Sequence, residues 1–156
     1  MAITNLIDFR KDLERFDDAM NEEISDSVYA ISKEALEKLA EMSPVLTGTY
    51  IYNHRLSSTG SSLSVMYFPH TPGETHPENR ASKKATLGAE MVMRELLTLI
   101  GVKNSGKIII NNNVPYADAI ELGSSNYAPA GVYRIVSAHL ETIAEQLIAV
   151  LPKHTL

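Results

Sequence analysis

Four groupings of residues have the types that could do chemistry. His70 and His76 bracket a short loop, with Glu74 and Glu78 close by. Imidazoles and carboxylates are metal ligands, but a site needs three or four that converge. A loop containing Pro72 and Gly73 fixes no such geometry, so the loop is expected to be solvated and to serve partner contact. Gly101, Gly106 and Lys107 have the spacing of a phosphate loop. Ile108 stands where that motif needs a hydroxyl for magnesium, and the order around it reads helix then strand. That order is the reverse of the one that points a helix N-terminus at phosphates. A serine, a histidine and an acid can be combined in many ways, but no nucleophile elbow is present. His54 reads as part of a strand, His139 as part of a helix, and His154 lies near the end of the chain. No catalytic residue, metal or cofactor is therefore predicted, and the chain is expected not to be an enzyme.

The fourth grouping centres on Glu121, at the end of a short helix and two residues before Gly123. A negative charge is unfavourable at a helix C-terminus unless it has a partner. Within the chain, the partner could be Arg55 or Arg134, or backbone amides that the carboxylate caps around the Gly123 turn. The functional alternative is an ion pair between subunits, where charge sets partner choice and register.

The elements that must position these residues are legible in part. From Leu6 to Met42 apolar residues recur in steps of three or four, including Phe9, Leu13, Phe16, Met20, Ile24, Val28, Ile31, Ala35 and Leu39. This period is that of an amphipathic helix, starting near Thr4 and stopped by Pro44. At 1.5 Å per residue such a helix spans about 58 Å, too long for a compact domain of this size. Either it breaks, most readily in the acid-rich Asn21–Ser27 stretch, or part of it projects onto a neighbouring subunit. Gly48 is expected to turn the chain into a strand over Tyr50–Leu56, joined by a Ser58–Ser61 hairpin to a second strand over Leu63–Phe68. Residues 69–85 read as an exposed loop, and Thr86–Ile100 as a helix. A strand over Lys107–Asn111, a short helix over Pro115–Leu122 and a last helix over Ala130–Leu151 follow. The predicted fold is α+β in a single domain: a long N-terminal helix, a small, mainly antiparallel sheet, and two further helices packed on it.

The chain has 156 residues, 44% of them hydrophobic and 21% charged, with no cysteine. This is ordinary for a globular domain, and it excludes disulfides and thiolate chemistry. No apolar run approaches the roughly 20 residues that cross a bilayer, and the N-terminus has no signal-peptide pattern. The expected setting is the cytoplasm, with no membrane. The net charge of −5 is unevenly placed: Met1–Met42 holds eleven acids against five bases. An acidic surface of this kind repels nucleic-acid phosphates.

Two patches carry a family resemblance. The first is Ser43-Pro44-Val45-Leu46-Thr47-Gly48-Thr49. The second runs through Asn112-Asn113-Val114-Pro115-Tyr116-Ala117, then Glu121 and Gly123, then Ala128-Pro129-Ala130-Gly131-Val132-Tyr133. In this order and spacing they resemble the tail-completion or neck proteins of tailed bacteriophages, over roughly residues 40–55 and 107–140. Leu46 departs from the pattern, which usually has Asp there, so Thr47 is expected to bond the turn instead. Pro44, Thr47, Gly48, Asn112, Pro115, Tyr116, Ala117, Glu121, Gly123, Pro129 and Gly131 are the motif residues expected to form turns and packing. Tyr50, Tyr52, Tyr116, Tyr127 and Tyr133 lie in or beside the patches and suit a core or an interface.

The resemblance implies a virion protein of the head–tail junction, assembled in the host cytoplasm. It implies a homo-oligomeric ring of about six or twelve copies, built from heterologous contacts that close. Its partners would be connector and tail proteins, with DNA passing through without specific binding. Asp17, Asp18, Glu22 and Glu23, together with Arg55 and Arg134, are the candidates for a subunit interface or the lumen. The competing readings are a soluble prophage-encoded adaptor, a nucleic-acid-binding module resting on Arg80, Lys83 and Lys84, and a small hydrolase. Fold alone does not separate them.

Overall fold

The computed structural model describes residues 2–58, 64–73, 75–100 and 107–150. Helix α1 spans Ala2–Met42. A short helix α2, Thr49–Tyr52, leads into strand β1, His54–Ser57. Helix α3 covers Pro77–Ile100, strand β2 Ile109–Asn112, helix α4 Ala117–Glu121 and helix α5 Tyr133–Val150. The fold is α+β, with helices built around one antiparallel pair of strands in register His54 to Asn112 and Leu56 to Ile110.

Helix α1 runs unbroken through Asn21–Ser27, so of the two alternatives for so long a helix the break is excluded. It contains no Pro or Gly, and like-charge pairs on a helix cost only tenths of a kcal/mol each. Among its described side chains, Lys11, Glu14, Arg15, Asp18, Asp26 and Tyr29 are exposed, and the first buried one is Ser32. The helix joins the body through Ala35, Leu36 and Leu39, each at most 1% exposed. Its two buried sides serve two clusters. Ala35 and Leu39 meet Tyr50, Val114, Ile120, Val132 and Val136. Leu36 meets Leu56, Met91 and Leu99. Cutting Leu36 or Leu39 to Ala in such a setting costs about 2–5 kcal/mol.

Three local expectations are corrected. Tyr50–Leu56 is not one strand: Gly48, at φ 97°, starts a helical turn over Thr49–Tyr52, and only His54–Ser57 is extended. Thr47 Oγ1 accepts the Thr49 amide at 3.2 Å and so tightens that turn. Residues 64–70 form no strand, and Leu63 with most of the proposed hairpin lies outside the described residues. The segment is held by side chains instead. Asn53 Nδ2 donates to Met66 O at 2.7 Å, the Met66 amide donates to Asn53 Oδ1 at 2.8 Å, and the Phe68 amide donates to Thr49 Oγ1 at 3.0 Å. The loop expected over residues 69–85 is also shorter, because α3 begins at Pro77. Proline is favoured in a helix's first turn, where its missing N–H costs nothing.

Among the described residues strand β1 has one neighbouring strand, and α3 covers its other edge. Arg94 Nη2 donates to Tyr52 O at 2.8 Å and His54 O at 3.0 Å, and the Leu56 amide donates to Glu95 Oε2 at 2.7 Å. Arg94 also lies over the Tyr52 ring, 4.4 Å from its centroid. Glu95 is 3% exposed, and Arg94 and Arg55 neutralise it. These side chains satisfy backbone groups that a third strand would otherwise take.

Candidate functional site

The two motif patches, some seventy residues apart, meet at a buried polar junction. Ser43 ends α1, His54 opens β1 and Tyr133 opens α5. Ser43 Oγ donates to Leu39 O at 2.6 Å and lies 2.8 Å from His54 Nε2. Its proton is thus committed to the helix carbonyl, so Nε2 must carry a hydrogen and donate to Ser43. Nδ1 is then the acceptor and takes the Tyr133 hydroxyl at 2.8 Å. Asn112 Nδ2, which donates to Tyr50 O at 2.8 Å, stands 3.5 Å from the same nitrogen.

His54 is fully buried. Burial, aided by the Arg94 charge, pulls its pKa from 6.5 to about 3. It is therefore the neutral imidazole at physiological pH. The ring nitrogen facing Ser43 is protonated and cannot take the serine's proton, and Ser43 is 1% exposed. This serine–histidine pair is arranged to join elements, not to activate a nucleophile. The sequence reading placed His54 in a strand but did not connect it to Ser43 or Tyr133.

Glu121 has a definite role. Its Oε2 accepts the Val132 and Tyr133 amides at 2.9 Å each, and its Oε1 accepts the Arg134 amide at 2.8 Å. The carboxylate caps the N-terminus of α5, where a negative charge meets the positive end of the helix dipole. Its burial works against the charge, but the three amides and the Arg134 guanidinium outweigh it and hold the pKa below the usual carboxylate range. Of the two arginines proposed as partners, Arg55 pairs with Glu95 at 3.4 Å. Arg134 contributes its backbone amide and its charge. Two turns around this cap have positive φ, Gly123 at 88° and Gly131 at 81°.

An open groove lies beside the junction, about 590 Å³ in volume. One wall is Pro44 to Tyr50, and the other includes Tyr116, Ile120 and Ser125 to Tyr127, with Tyr67, Phe68 and Arg80 at its end. Both motif patches thus line one concavity. Leu46, Tyr67, Tyr116 and Tyr127 are all more than 40% exposed there. Arg80 stacks over the Tyr127 ring at 4.7 Å. Pro44, Thr47, Gly48 and Tyr116 fall on the groove. Pro115 and Ala117 flank Tyr116. Asn112 lies in the junction, and Gly123, Pro129 and Gly131 surround the Glu121 cap. Phe68 and Tyr67 were missed as members because Leu63–Phe68 read as a hairpin strand.

The other candidate groups are not brought together. His70 and His76 are exposed, and no group of three or more metal-binding side chains occurs among the described residues. Glu74 and Gly101–Gly106 lie outside the described residues. Asp18 is exposed on α1, and the side chains of Asp17, Glu22 and Glu23 also fall outside what is described. No helix among the described residues is long and apolar enough to cross a membrane. No family model matches the chain, and comparison with curated proteins and with solved structures found no match.

Proposed function

We propose that this chain is a structural protein of the head–tail junction of a tailed phage, acting in the neck or in tail completion. One observation carries the reading: the two resemblance patches fold into a single recognition groove, braced from behind by the Ser43–His54–Tyr133 junction and the Glu121 cap. The groove presents exposed tyrosines and Leu46 with one guanidinium, the composition of a protein-docking surface. Its nearest hydroxyl–imidazole pair is closed to solvent and protonated in the wrong sense for catalysis. A long acidic helix that leaves the body is a suitable device for contacting neighbouring copies around a DNA channel.

The function follows from shape rather than reaction. Copies joined in a ring would present the tyrosine groove to a connector or tail protein, and a net negative surface would let DNA pass without sticking. The deciding experiment adds purified protein to isolated phage heads and to isolated tails, then scores sedimentation with the particles and recovery of infectivity. Binding to one particle with restored infectivity supports the reading. A protein that ignores both particles removes it.

A further inference from the structure

The tyrosine groove is lined by one charged side chain. Arg80, in the first turn of α3, stands at its end, and no carboxylate lines it. Arg55 and Arg94 both pair with Glu95. The Arg80 guanidinium, in contrast, makes no ion pair or hydrogen bond among the described residues, and its Nε is buried without an acceptor. Glu78, two positions earlier on α3, lies on a different face of the helix. The guanidinium is held over the Tyr127 ring, 4.7 Å from its centroid.

Tyr50 lines the groove from below. It is 4% exposed, and its hydroxyl has no hydrogen-bond partner among the described residues. Burial, with the charge of Glu121 behind it, keeps this phenol protonated. Glu121 itself is taken up by three amides of α5. A guanidinium only donates, and a protonated phenol donates readily. An occupant that brings acceptors therefore fits this groove.

The walls narrow the choice further. Tyr67, Phe68, Tyr116 and Tyr127 all line the groove. None of its residues belongs to a strand, so it offers no edge for strand addition. Aromatic-lined grooves suit extended, proline-rich segments. Such a segment adopts a polyproline II helix without internal hydrogen bonds, so its carbonyls are free to accept. Proline also brings no N–H that would need an acceptor.

We propose that the tyrosine groove binds an extended, proline-containing segment of a partner protein, with prolines on the tyrosine rings and an adjacent Asp or Glu carboxylate on Arg80. The assignment gives the partner chemistry of the docking groove and rests on that docking role. Stacking on Tyr127 presets the planar guanidinium, so less freedom is lost when a carboxylate pairs with it.

The test uses the full chain, isotopically labelled, and NMR titration with a blocked peptide of consecutive prolines carrying one central glutamate. Amide shifts should concentrate at Leu46, Tyr67, Tyr116 and Tyr127. Glutamine in place of the glutamate should weaken binding about fivefold or more, the scale of one hydrogen-bonded charge pair. Arg80→Gln should do the same, and this variant should bind the glutamate and glutamine peptides alike. A glycine–serine peptide with the same glutamate should bind more weakly than the proline peptide.

Absent or scattered shifts overturn the proposal. So does equal binding of the glutamate and glutamine peptides by the wild type, or of the proline and glycine–serine peptides. Acetate that reproduces the shifts at equal concentration reduces the groove to an anion site and overturns it too. Groove shifts on concentrating the protein alone would assign the groove to a second copy, with the same consequence. If Arg80→Gln fails to fold, the paired peptides on the wild type decide. Particle binding is scored separately. A protein that binds the peptide but ignores heads and tails keeps this occupant and removes the head–tail reading. One that binds particles but not the peptide removes this occupant alone.

Discussion

The Glu121 carboxylate occupies the space that a side chain on Gly131 would need. A Cβ built there would stand 2.7 Å from both the carbonyl oxygen and Oε1 of Glu121. The residue also sits at φ 81°. Gly131→Ala should therefore displace the cap as well as strain the backbone, a loss of about 2–4 kcal/mol. Urea unfolding monitored by circular dichroism measures it. A loss below about 0.5 kcal/mol would mean that the turn relaxes freely.

Removing the cap from the other side gives a second prediction. Glu121→Ala should cost about 1–2 kcal/mol, the range for a lost N-cap, and should fray the first turn of α5. Glu121→Gln should also remove part of the acid sensitivity. A carboxylate with a lowered folded pKa contributes stability above its unfolded pKa, and that contribution is lost as pH falls through the folded value. Glu121 is of this kind, held down by amides and by Arg134, so the gap between the wild type and the Gln variant should narrow as pH falls below the ordinary carboxylate range. Parallel curves down to pH 2 would contradict this.

His54 acts in a different pH window. Its folded pKa is about 3 against an ordinary 6.5, so below 6.5 the unfolded chain binds a proton that the folded chain refuses. Stability is then fully present above pH 6.5 and falls towards pH 3, at up to about 1.4 kcal/mol per pH unit. Between pH 6.5 and 4.5 this loss precedes that from Glu121. NMR of the imidazole protons should show His54 not titrating above pH 4.5. A midpoint near 6 would overturn the buried, neutral assignment.

The junction predicts coupling between its two ends. Ser43→Ala leaves the Nε2 hydrogen without its acceptor, and Tyr133→Phe leaves Nδ1 with only the long 3.5 Å contact to Asn112 Nδ2. Each should cost about 1–3 kcal/mol, the penalty for a buried unsatisfied polar group. Because both act through one ring, the double variant should depart from additivity by at least about 0.5 kcal/mol. Strict additivity would mean that His54 does not link them.

The tyrosine groove separates function from stability. Tyr67, Tyr116 and Tyr127 are 61%, 42% and 68% exposed. Replacing each with Ser should change stability by about 0.5 kcal/mol or less, as for most surface substitutions. The triple variant should nonetheless lose at least tenfold in binding to phage particles. Full binding by a folded triple variant would place the docking surface elsewhere.

Much of the fold was legible in the sequence where one periodicity acted alone. The three-and-four spacing from Leu6 to Met42, the Pro44 stop and the apolar face of the last helix match α1 and α5. Legibility failed where side chains replaced regular pairing. Tyr50, Ile51 and Tyr52 have strand-forming character, yet Thr47 and Gly48 fold them into a helical turn. Asn53 then bonds Met66 in place of a ladder. The start of α3 was missed because Pro77–Lys84 offers almost no apolar stripe. For the site, Glu121 stood out as a carboxylate in need of a partner, but backbone amides leave no trace in residue types. A usable signal did exist for Glu95, which falls on the buried face of α3 between Met91 and Leu99 at four-residue steps. A lone acid there announces a buried acceptor with a specific donor.

The sealing of β1 by Arg94 and Glu95 limits how this protein can join anything. A sheet with a bare edge invites strand addition, by a partner that donates a segment or by another copy that aggregates. Here an arriving strand would have to evict a guanidinium from two carbonyls and a carboxylate from the Leu56 amide. Growth of the sheet on that side is closed off, so recognition there falls to side-chain surfaces, which can be changed residue by residue without rebuilding the backbone.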